Sequence, residues 1–249
     1  MEELDSVQRY AQALGLVVHS RTILVEGASD AELFQLAAHL ELASTGIDLV
    51  GTDFAIVCAG ERDRGGTRGV IRELVTLRGL GRTCLLPNGR PRYRFVALFD
   101  NDNAGRQAVK AARELDTSLL EYKDLFRLFP SMPRPGNLDP RAIERAFAHA
   151  NQKYKGLDWE VEDLVAPSLL EAFVAADPLA VIKSKTAEDK VHREYTRDGK
   201  ARVHRYIKRY AMAEDLVDVS STLKAFRFYL GLPDARASAQ IYHLNSHRM

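Results

Sequence analysis

The sequence predicts an α/β fold, a mostly parallel sheet flanked by helices, followed by a mainly helical C-terminal part. Three observations lead there. Short apolar, β-type runs alternate with helical patterns of ten residues or more, the signature of right-handed βαβ units. Two of those runs end in carboxylates, Val25-Glu26 and Phe99-Asp100. The chain has 249 residues and is 46% hydrophobic, enough to bury a sizeable core.

Leu4 to Leu14 reads as a helix within an N-terminal segment, residues 1–20. A core of residues 21–155 follows. Thr22–Val25 is its first strand. Ser29 offers a helix N-cap, and Glu32 three residues on completes a capping box. That helix runs through Leu33, Ala37 and Leu40 and fades near Ser44 to Gly46. Phe54–Cys58 is a second strand, leading into a Gly/Arg-rich loop from Ala59 to Thr67 and a helix from Thr67 to Arg78. Leu86 to Pro91 is turn material. Arg94–Phe99 is the third strand and Asn103–Leu115 its helix. Leu125–Phe129 is a fourth apolar run. Pro130 to Pro140 holds four prolines and a glycine and reads as loop. From Pro140 onward the pattern is mainly helical, over Pro140–Ala150, Pro167–Ala176, Ala201–Tyr210 and Ser220–Leu230. A soft boundary near Lys153 to Gly156 sets off residues 156–249 as a helical extension.

Composition excludes several classes. The two cysteines, Cys58 and Cys84, form no Cys-x-x-Cys pair, which argues against a zinc ribbon or a disulfide scaffold and suits a reducing cytoplasm. No apolar run approaches a membrane span, so a cytoplasmic protein without membrane contact is expected. The net charge of +1 hides segregation. Gly60 to Arg94 holds nine arginines against three acids, Leu157 to Asp177 six acids and no Lys or Arg, and Lys183 to Arg209 ten Lys/Arg against four acids. Two basic blocks around an acidic one suit an anionic polymer held near a metal-binding centre; each block alone also reads as a solvated face.

Carboxyl ends of parallel strands are where sites form in open α/β sheets. Asp100 and Asp102 alternate along extended chain and can face one point. Glu26 ends another strand of the same sheet, with Asp30 one helical turn on. Such carboxylates repel one another unless a cation sits among them, and a hard divalent ion, Mg²⁺ or Mn²⁺, is the natural occupant. Weaker readings stand beside this one. Asp100-x-Asp102 also fits a purely structural strand-end turn, or a haloacid-dehalogenase-like phosphatase with Asp100 as nucleophile. Gly60 to Thr67 lacks the lysine of a phosphate loop, and His243 and His247 lie in a tail.

Val25-Glu26-Gly27-x-x-Asp30, followed by Phe99-Asp100-x-Asp102-x-x-Gly105, resembles the TOPRIM domain of topoisomerases, primases and certain nucleases. The Glu-x-x-x-Asp form is closest to the overcoming-lysogenization-defect (OLD) nucleases. The resemblance implies a TOPRIM-like Rossmannoid sheet, with Glu26 as metal ligand or general acid/base and Asp30, Asp100 and Asp102 binding metal. Trp159-Glu160-Val161-Glu162-Asp163 resembles the later acidic motif of that group; Glu160 and Glu162 would complete a second metal site, with Asp163 an alternative. Asp198-Gly199-Lys200 resembles its lysine motif, with Lys200 catalytic and Lys183, Lys185 and Lys190 as rivals. The implied activity is two-metal hydrolysis of DNA or RNA phosphodiesters. Arg62, Arg64, Arg68, Lys185, Arg202 and Arg205 would bind nucleic acid. The resemblance also implies a separate ABC-type ATPase partner, as in two-gene antiphage systems whose target can be tRNA. A homodimer is compatible with it. RNA maturation and a non-catalytic partner-binding module remain open.

Overall fold

The computed structural model describes residues 4–59 and 66–235. Its centre is a four-stranded parallel sheet formed by β1 (Arg21–Val25), β2 (Phe54–Cys58), β3 (Arg94–Phe99) and β4 (Leu125–Arg127), in the order β2-β1-β3-β4. Thr22 pairs with Ala55 on one side and Phe95 on the other, and Leu98 pairs with Phe126.

Every central strand is apolar on both sides, and the two-residue period sorts its side chains between two layers. Ile23, Val25, Ile56, Val96, Leu98 and Phe126 enter one core. That core is closed by α2 (Ala28–Thr45), α5 (Pro140–Ala150), α6 (Pro167–Ala176), α7 (Arg197–Tyr210) and α8 (Val217–Tyr229). Leu24, Ala55, Val57, Ala97 and Phe99 enter the other, under α1 (Ser6–Ala13), α3 (Gly66–Gly81) and α4 (Asn103–Leu115). The first core mixes residues from both sides of position 155, with Ile23 and Phe126 packed among Trp159, Val203 and Phe226.

Two local expectations are corrected. The cap of α2 is Gly27 rather than Ser29, and the Asp30 carboxylate, not Glu32, reaches back to accept from the Gly27 N–H at 2.9 Å. The mainly helical C-terminal part also holds an antiparallel hairpin, β5 (Val181–Ala187) and β6 (Lys190–Tyr195), in a stretch for which no strand was expected. This hairpin sets where α7 begins. The Thr196 N–H donates to the Ala180 carbonyl at 2.8 Å, and the Thr196 hydroxyl accepts from the Gly199 N–H at 2.9 Å as the cap of α7. Gly199 packs so tightly that a Cβ there would overlap the Ala180 carbonyl. Among the described residues no helix is long and apolar enough to cross a membrane.

Candidate functional site

From β1 the chain steps by α2 to β2 on one side of the sheet; from β3 it steps by α4 to β4 on the other. The order therefore reverses between β1 and β3, and the crevice at such a reversal is the usual ligand position of an open α/β sheet. Glu26 directly follows β1 and Asp100 directly follows β3.

Around this crevice each carboxylate is placed by its own local structure. Asp30, 7% exposed, sits in the first turn of α2 and uses one oxygen on the Gly27 N–H. Asp102 caps α4 through the Gly105 N–H at 2.7 Å. Position 105 must be glycine, because a Cβ there would overlap the Asp100 carbonyl oxygen. Asn101, buried between the two aspartates, fixes the loop: its N–H donates to the Trp159 carbonyl at 2.8 Å, and its side-chain oxygen accepts from Arg127 at 2.9 Å. The Trp159 bond ties the aspartate loop to the acidic segment that follows.

That segment turns through a 3-10 helix, Val161–Leu164. Asp163 is its clamp, and its carboxylate is spent on holding the segment rather than on the crevice. It accepts from the Glu160 N–H at 2.9 Å, meets His192 Nδ1 at 2.7 Å on β6, and accepts from the Arg193 N–H at 3.3 Å. Glu160 and Glu162 thereby flank Lys200, whose Nζ lies 3.0 Å from one and 3.2 Å from the other. Glu162 also meets His204 Nε2 at 2.6 Å, while its second carboxylate oxygen is buried with no hydrogen-bond partner among the described residues.

The charges of this group are coupled. Burial pushes the Glu26 carboxyl up to about 7, aided by the Asp30 and Asp102 charges and opposed by the Asp100 N–H and Lys200. Burial raises Asp100 well above the usual carboxylate range, against the pull of the Lys200 ammonium. Asp30 is raised by burial and by the Glu162 charge. Burial raises Glu160 too, again opposed by Lys200. Burial works against the Glu162 charge as well, but there the His204 hydrogen bond and Lys200 outweigh it and hold the carboxyl down at about 2. Burial disfavours the Lys200 charge, yet Glu162, Asp100, Glu160 and Asp30 together raise its pKa.

The structure thus brings Glu26, Asp30, Asp100, Asp102, Glu160, Glu162 and Lys200 into one electrostatic cluster. As arranged, no three His, Cys, Asp or Glu side chains among the described residues are grouped closely enough to hold one ion. The positive charge between Glu160 and Glu162 belongs to Lys200. The donor set nevertheless fits a hard cation: it consists of carboxylate oxygens, and one buried oxygen of Glu162 lacks any donor among the described residues.

The basic residues divide. Arg68 is exposed in the first turn of α3, and the Gly66 N–H that starts this helix bonds the Glu26 carbonyl at 3.2 Å. Arg205 is exposed on α7. Arg202, expected to face nucleic acid, is instead bonded to Asp177 at 2.6 Å, and Lys185 donates to the Gly156 carbonyl. Arg62, Arg64, His243 and His247 lie outside the described residues. Sequence reasoning missed His204, although it stands four residues after Lys200 and so shares its helical face. It also missed His192 and Arg127, whose partners are distant in sequence.

No family model, curated protein or solved structure matches the chain.

Proposed function

We propose that this chain is a metal-dependent nuclease of TOPRIM type that hydrolyses phosphodiester bonds of DNA or RNA. One observation carries the reading. Six carboxylates and one lysine, drawn from segments near residues 26, 100, 160 and 200, come within electrostatic reach of one another beside the point where the strand order reverses. A structural role alone does not account for that concentration of like charge, buried at Asp30 and Glu162 and half-buried at the other four, which costs stability wherever it is not compensated.

Glu26, Asp30, Asp100, Asp102, Glu160 and Glu162 are the residues that would hold Mg²⁺ or Mn²⁺. Bound divalent ions would supply Lewis acidity and an activated water. Glu26, just after β1, would accept the proton of an attacking water. Lys200 would stabilise charge gathering on the phosphoryl oxygens. Arg68 and Arg205 present exposed guanidinium groups for the flanking phosphates, contacts that give affinity with little sequence specificity. The motif resemblance extends the proposal to an ABC-type ATPase partner and an antiphage setting.

The test is incubation of the purified chain with plasmid DNA, single-stranded DNA and bulk tRNA, in Mg²⁺, Mn²⁺ or EDTA. Cutting that needs the metal and is lost in Glu26→Gln supports the reading. Cutting that persists in Glu26→Gln assigns it to a contaminant and removes the proposal's support.

A further inference from the structure

Beside the carboxylates, a cavity of about 380 Å³ opens between α2 and α7, within the range of small-ligand sites. Its lining includes Ser29, the neighbour of Asp30, and His204, whose Nε2 holds Glu162 at 2.6 Å. The cavity therefore borders the candidate site, with His204 reaching from one to the other. Leu33, Leu36 and Ile207 give it apolar walls. His39 adds a second imidazole, about 15 Å along α2 from Ser29 at the helical rise. The exposed Arg205 and Lys208 bring positive charge to the rim, where Lys208 also pairs with Glu32 at 3.3 Å.

Apolar walls and imidazole rings suit a flat heteroaromatic ring, and a cationic rim suits phosphate. We propose that this cavity takes one unpaired nucleotide of the strand being cut. The base lies against Leu33, Leu36 and the His39 ring, and the adjoining phosphates face Arg205 and Lys208. A base lodged between two helices is out of its duplex, so the substrate class is single-stranded or locally unpaired nucleic acid. The proposal rests on the nuclease reading of the cluster and adds to it which strands qualify.

The experiment measures binding by the full chain, in Ca²⁺ and at constant salt, with histidine-ring NMR shifts as a second readout. The probes are adenosine 5′-monophosphate, uridine 5′-monophosphate, ribose 5-phosphate, and a short single strand with or without one abasic residue. Both mononucleotides are expected to move the His39 and His204 resonances, and ribose 5-phosphate to bind about tenfold more weakly. The intact strand is expected to bind more tightly than either mononucleotide and to lose about tenfold when the abasic residue occupies the cavity. Leu36→Trp, which puts an indole where the base would lie, should weaken the base preference; Arg205→Ala, at an exposed position, should weaken every phosphate-bearing probe and keep the preference. Equal binding of ribose 5-phosphate and the nucleotides, or an unmoved His39, overturns the proposal. Binding of mononucleotides without preference for the strand overturns the strand assignment. The two readings fail separately. Base-dependent binding without metal-dependent cleavage sinks the nuclease reading alone. Cleavage lost in Asp100→Asn, with abasic strands bound as well as intact ones, sinks the cavity proposal alone.

Discussion

Replacing Lys200 with methionine removes the cation that lies 3.0 Å from Glu160 and 3.2 Å from Glu162. Methionine retains much of the side-chain volume, so charge is the main thing lost. Breaking a fully buried ion pair costs about 3–5 kcal/mol. Here Glu162 is 1% exposed but keeps its bond to His204, and the Lys200 side chain is 36% exposed, so solvent screens part of the interaction. A loss of about 2–3 kcal/mol is expected at about pH 8, or about 4–12 °C in Tm for a chain of this size. The pH dependence has a definite sign. Without the ammonium, the folded state holds protons on Glu160 and Asp100 more tightly than the unfolded chain does. Carboxyls raised on folding favour the fold at low pH and lose that contribution as pH rises through their folded values. Glu162, held down at about 2 partly by this ammonium, is ionised throughout this range, so its share of the loss is present at both ends; Lys200→Met should therefore lose less stability at about pH 5 than at about pH 8. Millimolar Mg²⁺ should raise its Tm by more than that of the parent, since a cation then fills the same need. Thermal unfolding followed by circular dichroism, in EDTA and in Mg²⁺, reads all three effects. An unchanged Tm at the higher pH, or an equal loss at both, refutes the reasoning.

Three further perturbations test other parts of the account. With its carboxyl at about 7, Glu26 must lose a proton to bind metal, so Mn²⁺ affinity should climb between about pH 6 and about pH 8 and the slope should flatten in Glu26→Gln; titration calorimetry in buffers of different ionisation enthalpy reads the proton release. Gly105→Ala, a change that usually stabilises a helix, should here destabilise by about 3 kcal/mol and displace Asp100, because the new Cβ meets the Asp100 carbonyl; urea unfolding and metal titration check it. His192→Phe should cost about 2–4 kcal/mol by leaving the buried Asp163 carboxylate facing a ring, and adding Asp163→Asn should recover part of that loss in a double-mutant cycle.

Much of this was legible in the sequence wherever one segment settles its own structure. The strands Phe54–Cys58 and Arg94–Phe99 lie where their apolar runs place them, and the helices Asn103–Leu115, Pro140–Ala150 and Pro167–Ala176 lie within their periodic patterns. The hairpin escaped for a physical reason. All of β5 except its ends is exposed, so no buried alternation marks it. Its turn passes through Glu188 at φ 52°, without the Gly or Asn that advertises a hairpin. The carboxylate motifs could be read because strand ends and two-residue spacing are local features. The clamp between His192 and Asp163, the bond from His204 to Glu162, and the diversion of Arg202 to Asp177 depend on how distant segments pack, which no local pattern encodes.

The central claim is that the carboxylates at the reversal of strand order form a metal-dependent phosphodiester-cleaving centre. Its most direct test compares single-turnover cleavage of one labelled single-stranded oligonucleotide by the parent chain and by Asp100→Asn, in Mn²⁺ and in EDTA, with folding of both verified. The account predicts cleavage by the parent in Mn²⁺ only, reduced at least about a hundredfold in Asp100→Asn, the scale of losing one electrostatic contributor to a transition state. Equal rates for the two proteins, or cleavage by the parent that continues in EDTA, would contradict it.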